Sequence, residues 1–110
     1  MRKPYPLRYG TVAILHAVAT GNRFGFDVMN ATGLTSGTVY PALDRLEELR
    51  YLTSEWEDAK LAHREGRPPR RYFALTRAGA DALADALKRY KSLRPVPLAA
   101  LGAHARTTKG

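Results

Sequence analysis

A basic stretch at residues 60–71, KLAHREGRPPRR, has the composition of a phosphate-binding loop. Its charged side chains are those of Lys60, Arg64, Arg67, Arg70 and Arg71, with a single acid, Glu65. The stretch therefore carries a charge of +4, half of the chain's net +8. Guanidinium groups in a solvent-facing loop need an anionic partner or water, and phosphate suits their geometry. Nucleic acid is the first partner to consider, with a solvated run of charge as the alternative.

Residue types that support catalysis are sparse. The chain has no cysteine, which excludes a disulfide framework, a thiolate nucleophile and a cysteine-based zinc site. The three histidines, His16, His63 and His104, are isolated in the sequence, and no carboxylate motif, glycine-rich phosphate loop or metal-ligand spacing joins them. We therefore predict that the protein is not an enzyme and needs no metal or cofactor.

Composition indicates one folded domain. A chain of 110 residues with 45% hydrophobic composition can bury one modest core. No apolar run approaches the roughly 20 residues of a membrane span, and the first ten residues, MRKPYPLRYG, contain no uninterrupted apolar segment. We expect a cytoplasmic protein, associated with the nucleoid, with no membrane partner.

Three helices are predicted in the first half of the chain. Apolar positions recur at helical spacing at Leu7, Thr11, Ile14, Leu15 and Val18, and this helix stops after Thr20. Residues 26–31 form a short second helix that ends at Thr32-Gly33. Thr35 or Ser36 caps a third helix, and its stripe consists of Val39, Ala42, Leu43, Leu46 and Leu49. The tight turn between the second and third helices is typical of a helix-turn-helix.

The period then changes to that of a hairpin. Residues 51–56 and 72–75 predict two strands, and Gly66, Pro68 and Pro69 predict an open, extended tip between them. Thr76 caps a fourth helix from Arg77 to about Ser92, ended by Pro95 and Pro97. Its apolar face consists of Ala80, Leu83, Ala84, Leu87 and Tyr90.

These elements predict a mainly α fold with a small β-hairpin, a winged helix-turn-helix with a three-helix core, a two-stranded wing and a C-terminal dimerisation helix. We divide the chain into a DNA-binding domain (1–76), a dimerisation helix (77–94) and a short, flexible basic tail (95–110). Three helices and a wing are a common scaffold for reading double-stranded DNA.

Particular residues carry a resemblance to a known family. The segments GFDV (25–28), LTSGTVYPAL (34–43), LEE (46–48), SEW (54–56) and GRPPRRYFALT (66–76), together with Gly79, resemble the PadR family of bacterial transcriptional regulators. The resemblance covers residues 7–87. It implies a sequence-specific, double-stranded-DNA-binding repressor, and it implies dimers that pair through C-terminal helices and respond to small aromatic or cationic hydrophobic effectors.

The outward face of the third helix is the predicted recognition surface. Burying Val39, Leu43 and Leu46 turns Gly37, Pro41 and Asp44 outward. The predicted DNA-contacting residues on this helix are Ser36, Gly37, Thr38, Tyr40, Pro41 and Arg45. In the alternative interpretation of Ser36, this residue is simply the N-cap of the helix. In the alternative interpretation of Tyr40, its ring packs under the wing.

In the wing, Arg67, Arg70 and Arg71 are predicted to contact phosphates or the minor groove, with Lys60 and Arg64 as auxiliaries. Alternation along the strand also allows Arg71 to pair with Glu55 or Glu57 across the hairpin.

A two-fold dimer on an operator with an inverted repeat is expected, because one small recognition helix reads few bases. Leu83, Leu87 and Tyr90 are the predicted dimer contacts, with packing on the chain's own core as the alternative. Tyr5, Tyr9 and Tyr90 line a candidate effector site or belong to the core.

Two further interpretations stay open: a non-specific architectural nucleic-acid binder, for which a basic chain suffices, and an adaptor that uses the winged helix as a scaffold. One departure from the family concerns Arg50, which stands where a glycine commonly ends the recognition helix. This substitution predicts a longer helix or an altered entry into the wing.

Overall fold

The structure is a computed structural model and describes residues 7–90, which are mainly helical with one two-stranded antiparallel sheet. The elements are α1 (Tyr9–Ala19), α2 (Gly25–Thr32), α3 (Ser36–Glu48), β1 (Leu52–Trp56), α4 (Ala59–Arg64), β2 (Arg71–Leu75) and α5 (Arg77–Leu87). The predicted fold class, a helical core with a β-hairpin wing, is confirmed. The tail at residues 95–110, Tyr5, Ser92, Pro95, Pro97 and His104 lie outside the described residues.

The core forms around α1, which contacts α2, α3, β2 and α5. Most of its residues are buried, and Ile14, Leu15 and Val18 are fully inaccessible. Helix α3 contributes Val39, Leu43 and Leu46. Three of the five residues of the predicted stripe are therefore buried, whereas Ala42 is partly buried and Leu49, at the end of the helix, is exposed. Their burial leaves the opposite face of α3 at the surface.

The wing is tied to the helical core as well as to itself. Leu52 pairs with Leu75 at the base of the hairpin and Trp56 with Arg71 near its tip. An isolated bridge joins Phe24, just before α2, to Tyr72, and the Phe73 amide donates to the Arg23 carbonyl oxygen at 2.7 Å. Because these bonds reach the start of α2, the wing has a defined position beside the helix-turn-helix.

Several boundaries differ from the sequence-based expectation. Helix α1 begins at Tyr9 rather than Leu7, because Arg8 has an extended conformation at the N-cap. Helix α5 ends at Leu87, and a turn occupies the next two residues instead of a continuation to Ser92. Thr76 does cap α5 as predicted, since its Oγ1 accepts a hydrogen bond from the Gly79 amide at 2.9 Å.

The expectation of an open, extended wing tip is wrong. Residues Ala59–Arg64 form α4, capped by the Asp58 side chain, which accepts from the Lys60 amide at 2.9 Å. Ala62 is fully buried beneath the turn that follows. Gly66 then reverses the chain at φ 71°, in the left-handed region that glycine tolerates. The two prolines lie in the irregular residues between Gly66 and β2.

Arg50 does not lengthen α3. It adopts the left-handed conformation itself, with φ 64°. Its amide donates to the Glu47 carbonyl oxygen and the Tyr51 amide donates to that of Leu46, both at 2.9 Å. This is the Schellman pattern that a glycine would complete without a steric penalty. The expectation of a longer helix is therefore wrong. The turn into β1 places Arg50 in a backbone conformation that is strained for a residue with a side chain.

Replacing Arg50 with glycine should stabilise the protein. A side chain in the left-handed region costs about 1 kcal/mol, so Arg50→Gly should raise the unfolding midpoint by roughly 4–8 °C. Glu48→Gly, in the regular last turn of α3, is the matched control and should destabilise by about 1 kcal/mol. Thermal unfolding by circular dichroism measures both, and a lower midpoint for Arg50→Gly would contradict the assignment of strain to this position.

Candidate nucleic-acid interface

The outward face of α3 presents a continuous polar surface. Its exposed residues are Ser36, Gly37, Thr38, Tyr40, Pro41, Asp44, Arg45 and Glu48. They cover the part of the helix surface that the buried stripe leaves free. Every α3 residue predicted to contact DNA is therefore accessible. Their contact with DNA stays a prediction.

The first turn of α3 leaves its hydroxyl groups available. Thr35 is the N-cap, and its side chain makes no capping hydrogen bond. Ser36 is the first helical residue, so the alternative interpretation of Ser36 as the N-cap is wrong. Gly37 lies next, and a Cβ built there would approach only Thr35 Oγ1, at 4.0 Å. A flat, polar helix end of this kind allows close approach of a duplex backbone.

Tyr40 reaches across to the start of α2. A Cβ added to Gly25 would lie 2.4 Å from Cε1, Cζ and Oη of Tyr40, so the tyrosine ring occupies the space that a side chain at Gly25 would fill. The ring therefore packs against the start of α2, and 46% of Tyr40 is exposed. The Gly25 contact directs the phenol toward the N-terminus of α2, where backbone amides favour an anion.

Arg67 stabilises the wing tip from within. Its guanidinium binds the Glu57 carboxylate with two hydrogen bonds, of 2.5 and 2.7 Å, and also donates to Glu65 at 3.1 Å. Glu57 accepts a further bond from the Arg70 amide at 3.1 Å, which ties the two ends of the tip together. Hydrogen bonding to Arg67, assisted by the Arg70 amide, lowers the pKa of Glu57 to about 2.

The low pKa of Glu57 predicts a pH window for wing stability. The contribution of Glu57 should be complete above pH 4.5, its unperturbed pKa, and should disappear as the pH falls toward about 2, because protonation removes the charge that Arg67 binds. We expect Glu57→Gln to lower the unfolding midpoint at neutral pH, with the difference from wild type narrowing below pH 4.5. Glu55→Gln, the same change at an exposed residue of β1 two positions earlier, is the control. A constant difference across the acid range would contradict the assignment.

Arg71 joins the wing to α3. Its Nε donates to Ser54 Oγ at 3.1 Å, Nη1 pairs with Asp44 at 3.1 Å, and Nη2 pairs with Glu47. Ser54 in turn donates to the second carboxylate oxygen of Glu47 at 2.8 Å. The acids that engage Arg71 are therefore on α3, so the alternative interpretation, a cross-hairpin pair with Glu55 or Glu57, is wrong. Contact of Arg71 with DNA stays a prediction.

Other cations are accessible. Arg45, Lys60 and Arg64 are exposed and make no salt bridge within residues 7–90. The Arg70 guanidinium lies 4.2 Å above the centre of the Phe24 ring, a cation–π contact that orients it without neutralising it. Of the three arginines predicted to contact phosphate, Arg70 is thus the one that forms no salt bridge with an acid in the described residues.

The sequence reasoning missed the residues that organise this surface. Phe24 supports Arg70, Gly25 admits Tyr40, Glu57 holds Arg67 and Glu47 holds Arg71. For Glu47 the helical period gives a partial signal, because Glu47 follows the buried Leu46 and borders the face that packs on the wing. Nothing local to Glu57 distinguishes it from the exposed Glu55.

The predicted dimer contacts divide into two kinds. Leu83 is fully buried in the core of its own chain and has no surface to offer a partner, so for Leu83 the alternative interpretation, packing on the chain's own core, describes the structure. Leu87 and Tyr90 are half-buried at the edge of that core. The Tyr90 hydroxyl donates to the Leu7 carbonyl oxygen at 3.1 Å, and the Tyr9 and Tyr90 rings meet edge to face at 5.2 Å. The dimer itself stays a prediction.

Residues 7–90 contain no cluster of three or more histidine, aspartate or glutamate side chains able to hold a metal ion. None of their helices has the length and hydrophobicity needed to cross a membrane.

Comparison with known proteins decides the family. Residues 14–85 match the family model described as the transcriptional regulator PadR-like family, well over half of the chain. The chain belongs to this family. The matched region runs from α1 to α5 and includes all of α3 and the wing, so the elements described above are the ones the PadR-like model spans. No curated protein matches the chain.

Solved structures share the PadR-like fold. A PadR-like transcription factor from Bacteroides fragilis is 24% identical with a TM-score of 0.62, and the match covers 74% of this chain and 80% of that one. The protein smu.1704 from Streptococcus mutans UA159 is 20% identical with a TM-score of 0.58, covering 82% and 85% respectively. At this identity the likeness shows the fold, and the family match supplies the class: a transcriptional regulator that acts through DNA binding.

Proposed function

We propose that the protein is a dimeric, sequence-specific repressor that reads the major groove with α3 and holds the adjacent backbone with the wing. The observation that carries the proposal is the linkage of two surfaces: the exposed α3 face and the basic wing are connected through Arg71, Asp44 and Glu47. Because α3 and β2 are tied side by side, both surfaces are placed to approach one duplex. A scaffold for protein interaction would not require this arrangement.

Roles follow from chemistry and accessibility. Ser36, Thr38 and Tyr40 supply hydroxyl donors for phosphates or base edges, and Arg45 is long enough to reach a guanine or a phosphate. Gly37 and Pro41 offer surface without polar bulk. In the wing Arg70 is the principal backbone contact, with Lys60 and Arg64 on α4 as auxiliaries. Arg67 is paired with Glu57 and Glu65, so its main role is to stabilise the wing, and its contact with phosphate is minor.

The dimer proposal rests on the need for two half-sites and on family membership. Two recognition helices about 34 Å apart would read an inverted repeat in successive major-groove turns. Leu87, Tyr90 and the neighbouring Tyr9 are the described apolar groups closest to the end of α5, and they form the edge of the surface through which two copies would pair. A small hydrophobic or aromatic effector that releases the operator would bind beside this surface. Such a regulator acts in the cytoplasm, on nucleoid DNA.

Selection of bound fragments from a random DNA pool, followed by footprinting, tests the proposal. We expect one short inverted repeat, protected on both half-sites, with tight binding that survives excess non-specific DNA. Arg70→Ala should weaken binding to every sequence and reduce the salt slope by about 1. Uniform protection without a preferred sequence would favour the architectural interpretation, which the net charge of +8 alone supports.

A further inference from the structure

We infer that Arg71 is a positioning residue that locks the wing onto the recognition helix, and that it does not itself bind DNA. The inference rests on the proposed function and departs from it at this residue, which composition alone assigns to phosphate contact. The lock consists of Arg71 on β2, Ser54 on β1, and Asp44 and Glu47 on α3.

Every nitrogen of the Arg71 guanidinium has a partner in the same chain. Nε donates to Ser54, Nη1 to Asp44 and Nη2 to Glu47, while the guanidinium carbon lies 4.9 Å from the centre of the Phe73 ring. A forked arginine–phosphate contact needs one edge of two adjacent N–H groups. The edge formed by Nε and Nη2 is used by Ser54 and Glu47, and Nη1 is engaged by Asp44. The side chain is 31% exposed, so the group is also partly covered.

The lock lies across the junction between α3 and the hairpin. Helix α3 and β1 are joined covalently only through the strained turn at Arg50. Asp44 lies on α3, more than one helical turn before Arg50, and Arg71 lies near the tip of the hairpin. Their ion pair therefore holds α3 and the hairpin together at a point well away from the connection at Arg50. Holding both surfaces in the bound geometry reduces the entropy lost on association.

The charge balance supports positioning over contact. Asp44 and Glu47 place two carboxylates on or beside the face proposed to meet a polyanion, where Coulomb repulsion opposes binding. Arg71 neutralises one of the two charges, so the cluster is net negative. Such a cluster weakens DNA attraction unless its effect on geometry outweighs the repulsion.

The two explanations, charge alone and positioning of the wing, predict opposite changes in DNA affinity for one substitution. Glu47→Ala removes a negative charge from the surface, so if charge alone matters it should strengthen DNA binding. If the lock positions the wing, Glu47→Ala should instead weaken binding to the selected operator by roughly tenfold. Glu48→Ala is the matched control: the same change one residue later, at an exposed acid that has no salt bridge in the described part of the chain. It should bind as tightly as wild type or tighter.

Salt dependence separates positioning from contact at Arg71 itself. Arg71→Ala should weaken operator binding while leaving the slope of log K against log salt unchanged, whereas loss of a phosphate contact would lower the slope by about 0.9. The double variant Glu47→Ala/Arg71→Ala should lose no more affinity than Arg71→Ala alone. Titration at stoichiometric concentrations confirms that each variant is fully folded and active. Glu47→Ala binding at least as tightly as wild type, or a reduced slope for Arg71→Ala, would overturn the inference.

Failure of the proposed function has a different signature. If the wild-type protein selects no DNA sequence, the repressor proposal fails, and the lock is then judged on the free protein by amide hydrogen exchange. Glu47→Ala should accelerate exchange in β1 and β2 relative to Glu48→Ala, because the brace between hairpin and helix is lost. Equal exchange in the two variants would exclude the lock irrespective of DNA.

Discussion

Gly79→Ala should destabilise the protein by about 3 kcal/mol, because the added methyl group would overlap a backbone atom that cannot move aside. A Cβ at Gly79 would lie 2.0 Å from the Tyr51 carbonyl oxygen and 2.9 Å from its carbonyl carbon. That same oxygen accepts a hydrogen bond from the Thr76 amide at 3.1 Å, and Thr76 Oγ1 donates to the Arg50 carbonyl oxygen at 2.6 Å. The first turn of α5 is thus seated directly on the junction between α3 and β1.

Chemical denaturation of Gly79→Ala and Gly37→Ala measures this effect with a matched control. Both glycines lie in the first turn of a helix, but Gly37 has open space around its Cα. Gly37→Ala should therefore stabilise the protein by up to about 1 kcal/mol, because alanine favours the helix. Equal effects of the two substitutions would show that the close approach of α5 to Tyr51 is not tight.

Gly37→Glu should leave the fold intact and abolish DNA binding. A glutamate in the first turn of α3 is compatible with the helix dipole, so unfolding should be unchanged or shifted slightly upward. In the proposed complex, however, the side chain would meet the phosphate backbone, and juxtaposed like charges cost several kcal/mol, a loss of at least about a hundredfold in affinity. Titration of the selected operator, beside a thermal melt, measures both quantities.

The control for this experiment is Gly10→Glu. Gly10 is the second residue of α1, as Gly37 is the second residue of α3, and nothing lies within 4 Å of a Cβ placed there. Gly10→Glu therefore changes the net charge by the same amount as Gly37→Glu and introduces the same residue at the same helix position, but on a different helix. A comparable loss of DNA affinity in both variants would mean that total charge governs affinity, as expected of a non-specific binder. In that case α3 would not be the recognition helix.

The local sequence determined the helices, the hairpin and the buried side of α3. Val39, Leu43 and Leu46 recur at helical spacing and are all fully buried, and the change of period after Tyr51 coincides with β1. These features are predictable because periodicity and capping act over a few residues, as the Thr76 cap illustrates. The wing tip was predicted less well: glycine and proline there indicated an open loop, whereas the Asp58 cap and the burial of Ala62 favour α4.

Only the tertiary structure decided which basic residues are left to face a partner. The sequence places Arg67, Arg70 and Arg71 in one charged stretch and predicts phosphate contact for all three, yet Arg67 is held by Glu57, Arg71 by Asp44 and Glu47, and Arg70 lies on Phe24. The partners of Arg71 are 24 and 27 residues away along the chain. Because an ion pair depends on distance in space, and each arginine has several acids within its possible reach, the folded arrangement alone selects among them.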